Sequence, residues 1–294
     1  MASLSYRDRA IISLLDDHEV FTTDQLARLY FTRLDVAQRR LLRLSRLLVL
    51  DRFRWRLPIG SESWHYVLGP VGSALAAARR GLDPPTTAAV RKRTLRIAQR
   101  PQLGHLVGLN GWFCDLAVES KRRGDAHLAQ WWSERRCGEQ YGTIVRPDAA
   151  ATYVEGTRRV DFFFEYDTGT ETIGRVVAKL TRYGDLAAAG GPSVPVLIWC
   201  ASAVRERHLQ AAIAATRGAG FPNSVAVATA SGEAVAMLGV GLTGECWLVP
   251  DTAERCALID LGRAHGASEP SPIGDTGLDD AGADDTEPVA PWET

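Results

Sequence analysis

Residues 160–167 read Val-Asp-Phe-Phe-Phe-Glu-Tyr-Asp, and this aromatic run decides the fold of the larger part of the chain. Aromatic and β-branched side chains favour extended backbone, so the run predicts a β-strand over residues 160–166. Residues 149–154 form a second apolar segment, and a turn near Gly156 and Thr157 separates the two. The pair predicts an antiparallel hairpin in which the numbers of opposite residues sum to about 313.

This register brings three carboxylates to one patch. Side chains alternate along a strand, so Glu165 and Asp167 share a face, and Asp148 lies opposite Glu165. Crowded carboxylates repel one another, and a hard cation such as Mg²⁺ or Mn²⁺ both relieves the repulsion and activates water for attack on a phosphodiester. The pattern therefore predicts a metal-binding and catalytic site formed by Asp148, Glu165 and Asp167. Alternatively, Asp148 caps a turn after Pro147, and Asp167 belongs to the turn into the next helix.

The segments on either side of the hairpin predict alternating helices and strands. Residues 168–171 (Thr-Gly-Thr-Glu) have the pattern of a capping box and precede an apolar helical stripe. Residues 194–200 are continuously apolar, as expected for a strand buried on both faces. A helix over 204–217 and a strand over 224–228 follow, and Leu106, Leu109, Phe113 and Leu116 mark a helix before the hairpin. This alternation predicts an α/β fold, within a chain that is α+β overall.

Four further polar residues are candidates for a role near the carboxylates. Lys179 lies at the border of the apolar stripe that follows the capping box, within reach of the carboxylate end of the sheet. Only three of the 34 basic residues are lysines, so Lys179 is a candidate catalytic residue, and the alternative is that a lysine occurs here by chance. Glu134 is either a fourth acid or a surface residue. We expect His105 and Asn110 to serve packing and hydrogen bonding.

The first 82 residues predict a winged helix-turn-helix. Apolar spacing indicates a helix over Tyr6–His18, and Thr22 with Gln25 has the capping-box pattern at the start of a second. A third helix is predicted over 33–48, with an apolar stripe of Ala37, Leu41, Leu44 and Leu48. Strands over 51–57 and 64–68 flank a turn-rich loop and form the wing, and Pro70 begins a further helix.

Basic side chains concentrate in this N-terminal region. Residues 1–100 hold 18 Lys and Arg against 9 Asp and Glu, although the whole chain has a net charge of -1. Arginine suits phosphates and guanine edges, so double-stranded DNA is the expected partner. The alternative is a solvated basic face in an arginine-rich chain. The candidate DNA-binding residues are Arg33, Gln38, Arg39, Arg43, Arg46, Arg52, Arg54 and Arg56.

Composition sets the remaining expectations. The predicted units are the winged helix over 1–82, a basic linker over 83–100, the α/β domain over 101–262 and a disordered acidic tail over 263–294. Five cysteines without close spacing predict reduced thiols rather than disulfides or a zinc site. Without a signal peptide or a membrane-spanning apolar run, the chain is expected to be cytoplasmic.

The chain resembles the replication-relaxation family of actinobacterial plasmids and integrative elements. The resemblance covers residues 5–262 and implies processing of plasmid or mobile-element DNA, with other replication or transfer proteins as partners. It rests on residues 7–11, 47–53, His105, Asn110, 132–134, 146–149, 164–171 and 179–183.

The second domain is also similar to the PD-(D/E)xK nucleases, with Pro147-Asp148 followed by Glu165 on the next strand. This resemblance implies a restriction-endonuclease-like αβββαβ fold and a Mg²⁺-dependent nuclease that nicks or relaxes DNA. Two positions after Glu165 the chain has Asp167 instead of lysine, so activity requires either that Lys179 acts from the helix or that the site works without a lysine. The alternative is a non-enzymatic DNA-binding regulator or accessory factor with a degenerate nuclease-like domain.

Overall fold

The computed structural model describes residues 4–55, 62–217, 225–250, 252 and 254–262. Over these residues the protein is mixed α/β, with ten α-helices and with sheets of three and seven strands. Arg56, most of the predicted wing turn and the predicted acidic tail lie outside the described residues. No helix in the described ranges is long and apolar enough to cross a membrane.

The N-terminal region has the predicted helices and strands in order, and it has one further short strand, β1, that was not predicted. Antiparallel strands form its sheet in the order β1-β3-β2. The capping box is confirmed, since Thr22 accepts from the backbone of Gln25, whose side chain accepts from the backbone of Thr22. The elements are α1 (Tyr6–His18), β1 (Phe21–Thr22), α2 (Thr23–Tyr30), α3 (Leu34–Arg46), β2 (Leu50–Phe53) and β3 (His65–Leu68).

Helix α3 buries Ala37, Leu41 and Leu44, as its apolar spacing predicted. The prediction that the stripe continues to Leu48 is wrong, because the helix ends at Arg46 and Leu48 is 56% exposed. Leu48 has a φ of 57°, and the next amide, of Val49, donates back to the carbonyl of Leu44. The chain therefore turns sharply from α3 into β2.

Helices α4 (Pro70–Arg79) and α5 (Thr87–Ala98) follow the small sheet. The sequence predicted a linker over 83–100, and the structure places α5 within it. The Thr86 side chain caps α5 by accepting from the Ala89 amide, and Val90 and Ile97 are buried. Ile97 packs with Val67 of β3, so this short apolar stripe is enough to dock the helix.

The second region is built on the seven-stranded sheet, in the order β10-β9-β8-β7-β6-β5-β4. The hairpin register is confirmed, since Ala149 pairs with Phe164, and β6, β7 and β8 run parallel. The elements are α6 (Leu103–Arg123), β4 (Ala126–Ser133), α7 (Glu134–Tyr141), β5 (Ala149–Glu155), β6 (Arg158–Asp167), α8 (Ile173–Ala188), β7 (Val196–Cys200), α9 (Ala203–Arg217), β8 (Val227–Ser231), α10 (Gly232–Leu238), β9 (Trp247–Leu248), β10 (Arg255–Cys256) and a 3-10 helix (Leu258–Gly262).

Several boundaries of this region differ from the prediction, and β7, for example, begins at Val196 rather than at residue 194. Helix α8 begins after Thr172, so the predicted capping box at 168–171 is wrong. Instead, Asp167 accepts from the amide of Gly169, whose φ of 78° lets the chain turn before the helix. The strand predicted to begin at residue 224, which lies outside the described residues, is observed as β8 from Val227.

Alternation along β6 divides the core between the two faces of the sheet. Phe162 and Phe164 pack in one cluster with α6 and the N-terminal helices, whereas Phe163 packs in the other with α8 and α9. The Asn110 side chain on α6 donates to the backbone carbonyls of His18 and Val20. The N-terminal region and the large sheet therefore share one core.

Candidate functional site

Glu165 lies on the face of β6 that α8 covers, with its side chain only 10% exposed. The Lys179 ammonium donates to Glu165 Oε2 at 2.6 Å, and the Tyr183 hydroxyl donates to Oε1. Lys179 and Tyr183 are four residues apart on α8, which places both side chains over the same strand. Both oxygens of this carboxylate therefore have partners from a single helix.

Asp148 lies directly before β5, and Lys179 Nζ is 3.7 Å from its Oδ1. Its Oδ2 accepts from the Tyr166 amide at 2.9 Å and is 3.0 Å from His105 Nε2. The lysine thus lies between two carboxylates that come from adjacent strands. Together His105, Asp148, Glu165, Lys179 and Tyr183 form what we call the carboxylate cluster.

The first turns of α6 close one side of this cluster. The His105 ring meets the Tyr166 ring edge-on, with centroids 5.6 Å apart. A Cβ at position 108 would come within 2.7 Å of the Tyr166 ring, so Gly108 is what allows the ring to lie against α6. The close approach of α6 to β6 holds the Tyr166 amide and His105 against Asp148.

Burial and opposing charge determine the protonation of the cluster. Burial, and then the charge of Asp148, raise the pKa of Glu165 to about 8 against the lowering effect of Lys179. Burial would raise the pKa of Asp148, but the hydrogen bond from His105 and the charge of Lys179 hold it below its usual value. Burial would lower the pKa of His105, but Asp148 raises it overall. The protein's own cations therefore compensate Asp148 better than Glu165.

Asp167 does not join this cluster. Although it shares a face of β6 with Glu165, its carboxylate pairs with Arg205 of α9, at 2.7 Å from Nε and 3.1 Å from Nη2. Over the described residues, no group of three His, Cys, Asp or Glu side chains is arranged to hold a metal ion. The prediction that three carboxylates converge on one patch is therefore wrong, because Arg205 holds the third.

The other polar candidates, Glu134, Asn110 and His105, differ in whether they lie in the carboxylate cluster. Glu134 accepts from Arg100 at 3.2 Å and does not belong to the carboxylate cluster. Asn110 has the structural role expected of it. His105, which was expected to serve packing and hydrogen bonding, lies in the cluster beside Asp148, and Tyr183 was not singled out. The spacing of Tyr183 four residues after Lys179 was the available signal.

The arginines predicted for DNA contact lie on the surface. Arg33 and Arg39 are 72% and 74% exposed, and both pair with Asp35. Gln38, Arg43 and Arg46 are also exposed. The guanidinium groups of Arg52, on β2, and of Arg54, which follows β2, lie 4.0 and 4.3 Å from the centre of the Trp64 ring.

Fold and cluster together define a mixed α/β protein in which a lysine lies between a buried carboxylate, Glu165, and a half-buried one, Asp148. The chain belongs to the replication-relaxation family, whose sequence model matches residues 12–195. The matched segment contains every member of the carboxylate cluster. No curated protein and no solved structure matches the chain. The family ties the chain to the replication or relaxation of plasmid and mobile-element DNA.

The raised pKa of Glu165 predicts how stability depends on pH. Folding stabilises the protonated form, so this contribution is complete below the ordinary value of 4.5 and is lost as the pH rises to about 8. Over this window the free energy of unfolding of the wild type should fall more steeply than that of Glu165→Gln, by at most about 1.4 kcal/mol per pH unit. Urea unfolding from pH 5 to 8 measures both slopes. Equal slopes would show that Glu165 titrates normally.

Proposed function

We propose that this protein binds duplex DNA through α3 and nicks it at the carboxylate cluster with the help of a divalent cation. The observation that carries the proposal is the position of Lys179 Nζ, 2.6 Å from Glu165 and 3.7 Å from Asp148. Two carboxylates from adjacent strands and one lysine are the groups that the nuclease resemblance requires. The lysine arrives from α8 instead of from β6.

The donor set suits a hard cation. Mg²⁺ is commonly bound by one or two carboxylates, with water and substrate phosphate completing its coordination, and Asp148 and Glu165 provide such a pair. Burial, and then the charge of Asp148, raise the pKa of Glu165 despite Lys179, and a bound cation would favour the ionised form of this carboxyl. A bound Mg²⁺ or Mn²⁺ would supply Lewis-acid stabilisation of the phosphate and would lower the pKa of water.

The side chains around the pair have separable roles. Lys179 would stabilise the negative charge that develops on the phosphate during attack. A hydrogen bond from His105 Nε2–H to Asp148 leaves Nδ1 of the same ring to accept a proton from the attacking water. Tyr183 donates to Glu165 and holds its carboxylate in place.

One observation favours a second candidate function, that of a non-enzymatic accessory factor. Lys179 and Tyr183 already satisfy both oxygens of Glu165, and Arg205 holds Asp167. A cluster satisfied in this way can serve structure alone, and the same α3 would then anchor the chain on DNA beside other replication proteins.

Thermal unfolding with and without divalent cation tests the proposal. Millimolar Mg²⁺ or Mn²⁺ should raise the melting temperature of the wild type, because ligand at about 100 times its Kd stabilises the folded state by about 2.7 kcal/mol. Glu165→Gln should abolish the shift. Glu134→Gln is the matched control, since Glu134 pairs with Arg100 outside the cluster, and it should retain the shift. An identical melting temperature with and without cation would favour the accessory factor.

A further inference from the structure

Helix α5 carries an unusual concentration of positive charge. Residues 84–114 contain five basic residues and no Asp or Glu, and all five lie on α5 or within two residues of its end. They divide into two groups. Arg100 forms ion pairs with Glu19 and Glu134, and the carboxylates of Glu19 and Asp16 attract the half-buried Arg93. The interactions of Arg93 and Arg100 with these carboxylates hold α5 against the rest of the protein.

The other three basic residues, Arg91, Lys92 and Arg96, are exposed. Within the described part of the chain none of them forms a salt bridge with a carboxylate. Lys92 and Arg96 are one helical turn apart, and Arg91 is adjacent, so their side chains leave α5 over a common sector. Three uncompensated cations on a docked helix create a surface potential that attracts a polyanion.

A groove joins this helix to α3. It lies between the end of α3, strand β2 and the first turns of α5, and its lining includes Arg46, Arg52, Trp64 and Arg91. Arg52 is held over the Trp64 ring at 4.0 Å, which fixes its position in the groove wall. The lining also includes Asp51, and it brings basic side chains of α3, β2 and α5 to one groove.

The other end of α5 leads to the carboxylate cluster. The chain runs from α5 at Ala98 directly into α6 at Leu103, and His105 in the first turn of α6 bonds Asp148. Arg100, between the two helices, holds Glu134 at the start of α7. Helix α5 thus spans the interval between the α3 groove and the cluster.

We propose that α5 binds the phosphate backbone of duplex DNA and guides the duplex from α3 toward the carboxylate cluster. Arg91, Lys92 and Arg96 would each contact phosphate, with Arg46 and Arg52 on the opposite wall of the groove. The inference rests on the proposed DNA binding and deepens it. Duplex DNA is the occupant that fits, since arginine and lysine without compensating acids match a regular array of phosphates.

The experiment compares the binding of a duplex of about 30 base pairs at several salt concentrations by four full-length chains. The α5 variant carries Arg91→Ala, Lys92→Ala and Arg96→Ala, changes to a strong helix former at exposed sites that should leave folding intact. The charge-matched control carries Lys121→Ala, Arg122→Ala and Arg207→Ala. These exposed sites lie near the end of α6 and on α9, outside α3 and α5. The remaining chains are the wild type and a variant with Arg91→Lys, Lys92→Arg and Arg96→Lys.

The α5 variant should bind about tenfold to a hundredfold more weakly at about 0.1 M salt, and its salt slope should fall by about 0.9 for each lost phosphate contact. The control and the charge-conserving variant should bind like the wild type. If the α5 variant and the control have the same affinity and salt slope while the wild type binds the duplex, the proposed role of α5 is wrong and the proposed function is unaffected. If the wild type shows no salt-dependent binding, the proposed function itself fails. A change in sedimentation of the α5 variant with unchanged DNA affinity would identify α5 as a contact between copies of the chain.

Discussion

Replacing Lys179 with methionine should lower the rate of DNA cleavage by about a hundredfold or more while leaving metal binding in place. The substitution keeps the length of the side chain and removes the charge that lies between Asp148 and Glu165. Removing one preorganised donor from a charge-stabilising site typically costs two to three orders of magnitude in rate. Because the ammonium competes with a cation for the same two carboxylates, the metal-induced rise in melting temperature should persist or increase.

The matched control for this substitution is Lys121→Met, at an exposed position near the end of α6. It should cleave at the wild-type rate. Glu165→Gln should lose both cleavage and the metal-induced shift, which separates the residue that holds the ion from the one that stabilises the phosphate. Equal cleavage by Lys179→Met and wild type would remove Lys179 from the mechanism. If divalent cation did not raise the melting temperature of Lys179→Met, Lys179 would have a structural role at the metal site.

The second large effect concerns DNA affinity. A chain with Arg39→Ala, Arg43→Ala and Arg46→Ala should bind duplex DNA about a hundredfold more weakly at about 0.1 M salt, with a salt slope lower by roughly 2 to 3. These arginines lie on the exposed face of α3, opposite the buried Ala37 and Leu41, so their removal leaves the core unchanged. Fluorescence anisotropy of a labelled duplex measures both quantities.

The charge-matched control is again the chain with Lys121, Arg122 and Arg207 replaced by alanine. It removes the same charge from surfaces outside α3 and α5, so it should keep the wild-type slope. If it weakens binding as much as the α3 variant does, then net charge and not the face of α3 determines the affinity. If neither variant changes the slope, the arginines of α3 do not contact phosphate.

The sequence predicted the hairpin because two local signals agreed. Aromatic residues 162–164 favour a strand, and a turn near Gly156 favours the register in which Ala149 pairs with Phe164, which the structure has. The capping box of α2 was equally local, since Thr22 and Gln25 are three residues apart. Such features depend on neighbours in the chain and can therefore be predicted from its pattern.

The partners of the carboxylates depend on distant parts of the chain. Asp167 has the right strand position for the predicted site, but Arg205, which comes 38 residues later, pairs with it. His105 reaches Asp148 across 43 residues because α6 packs closely on β6 at Gly108. The alternation of side chains along a strand predicts the face of the sheet on which a carboxylate lies. Which residue pairs with that carboxylate depends on how distant helices pack on the sheet, and the periodicity of the sequence does not specify this packing.

The most direct test of the account is the conversion of supercoiled plasmid by the wild-type chain, followed on agarose gels with Mg²⁺, with Mn²⁺ and with EDTA. Cleavage at the carboxylate cluster should give an open-circular product with either cation, no product with EDTA, and no product from Glu165→Gln under any of these conditions. Plasmid that stays supercoiled with both cations, at protein concentrations that bind it fully, would contradict a catalytic role for Asp148, Glu165 and Lys179.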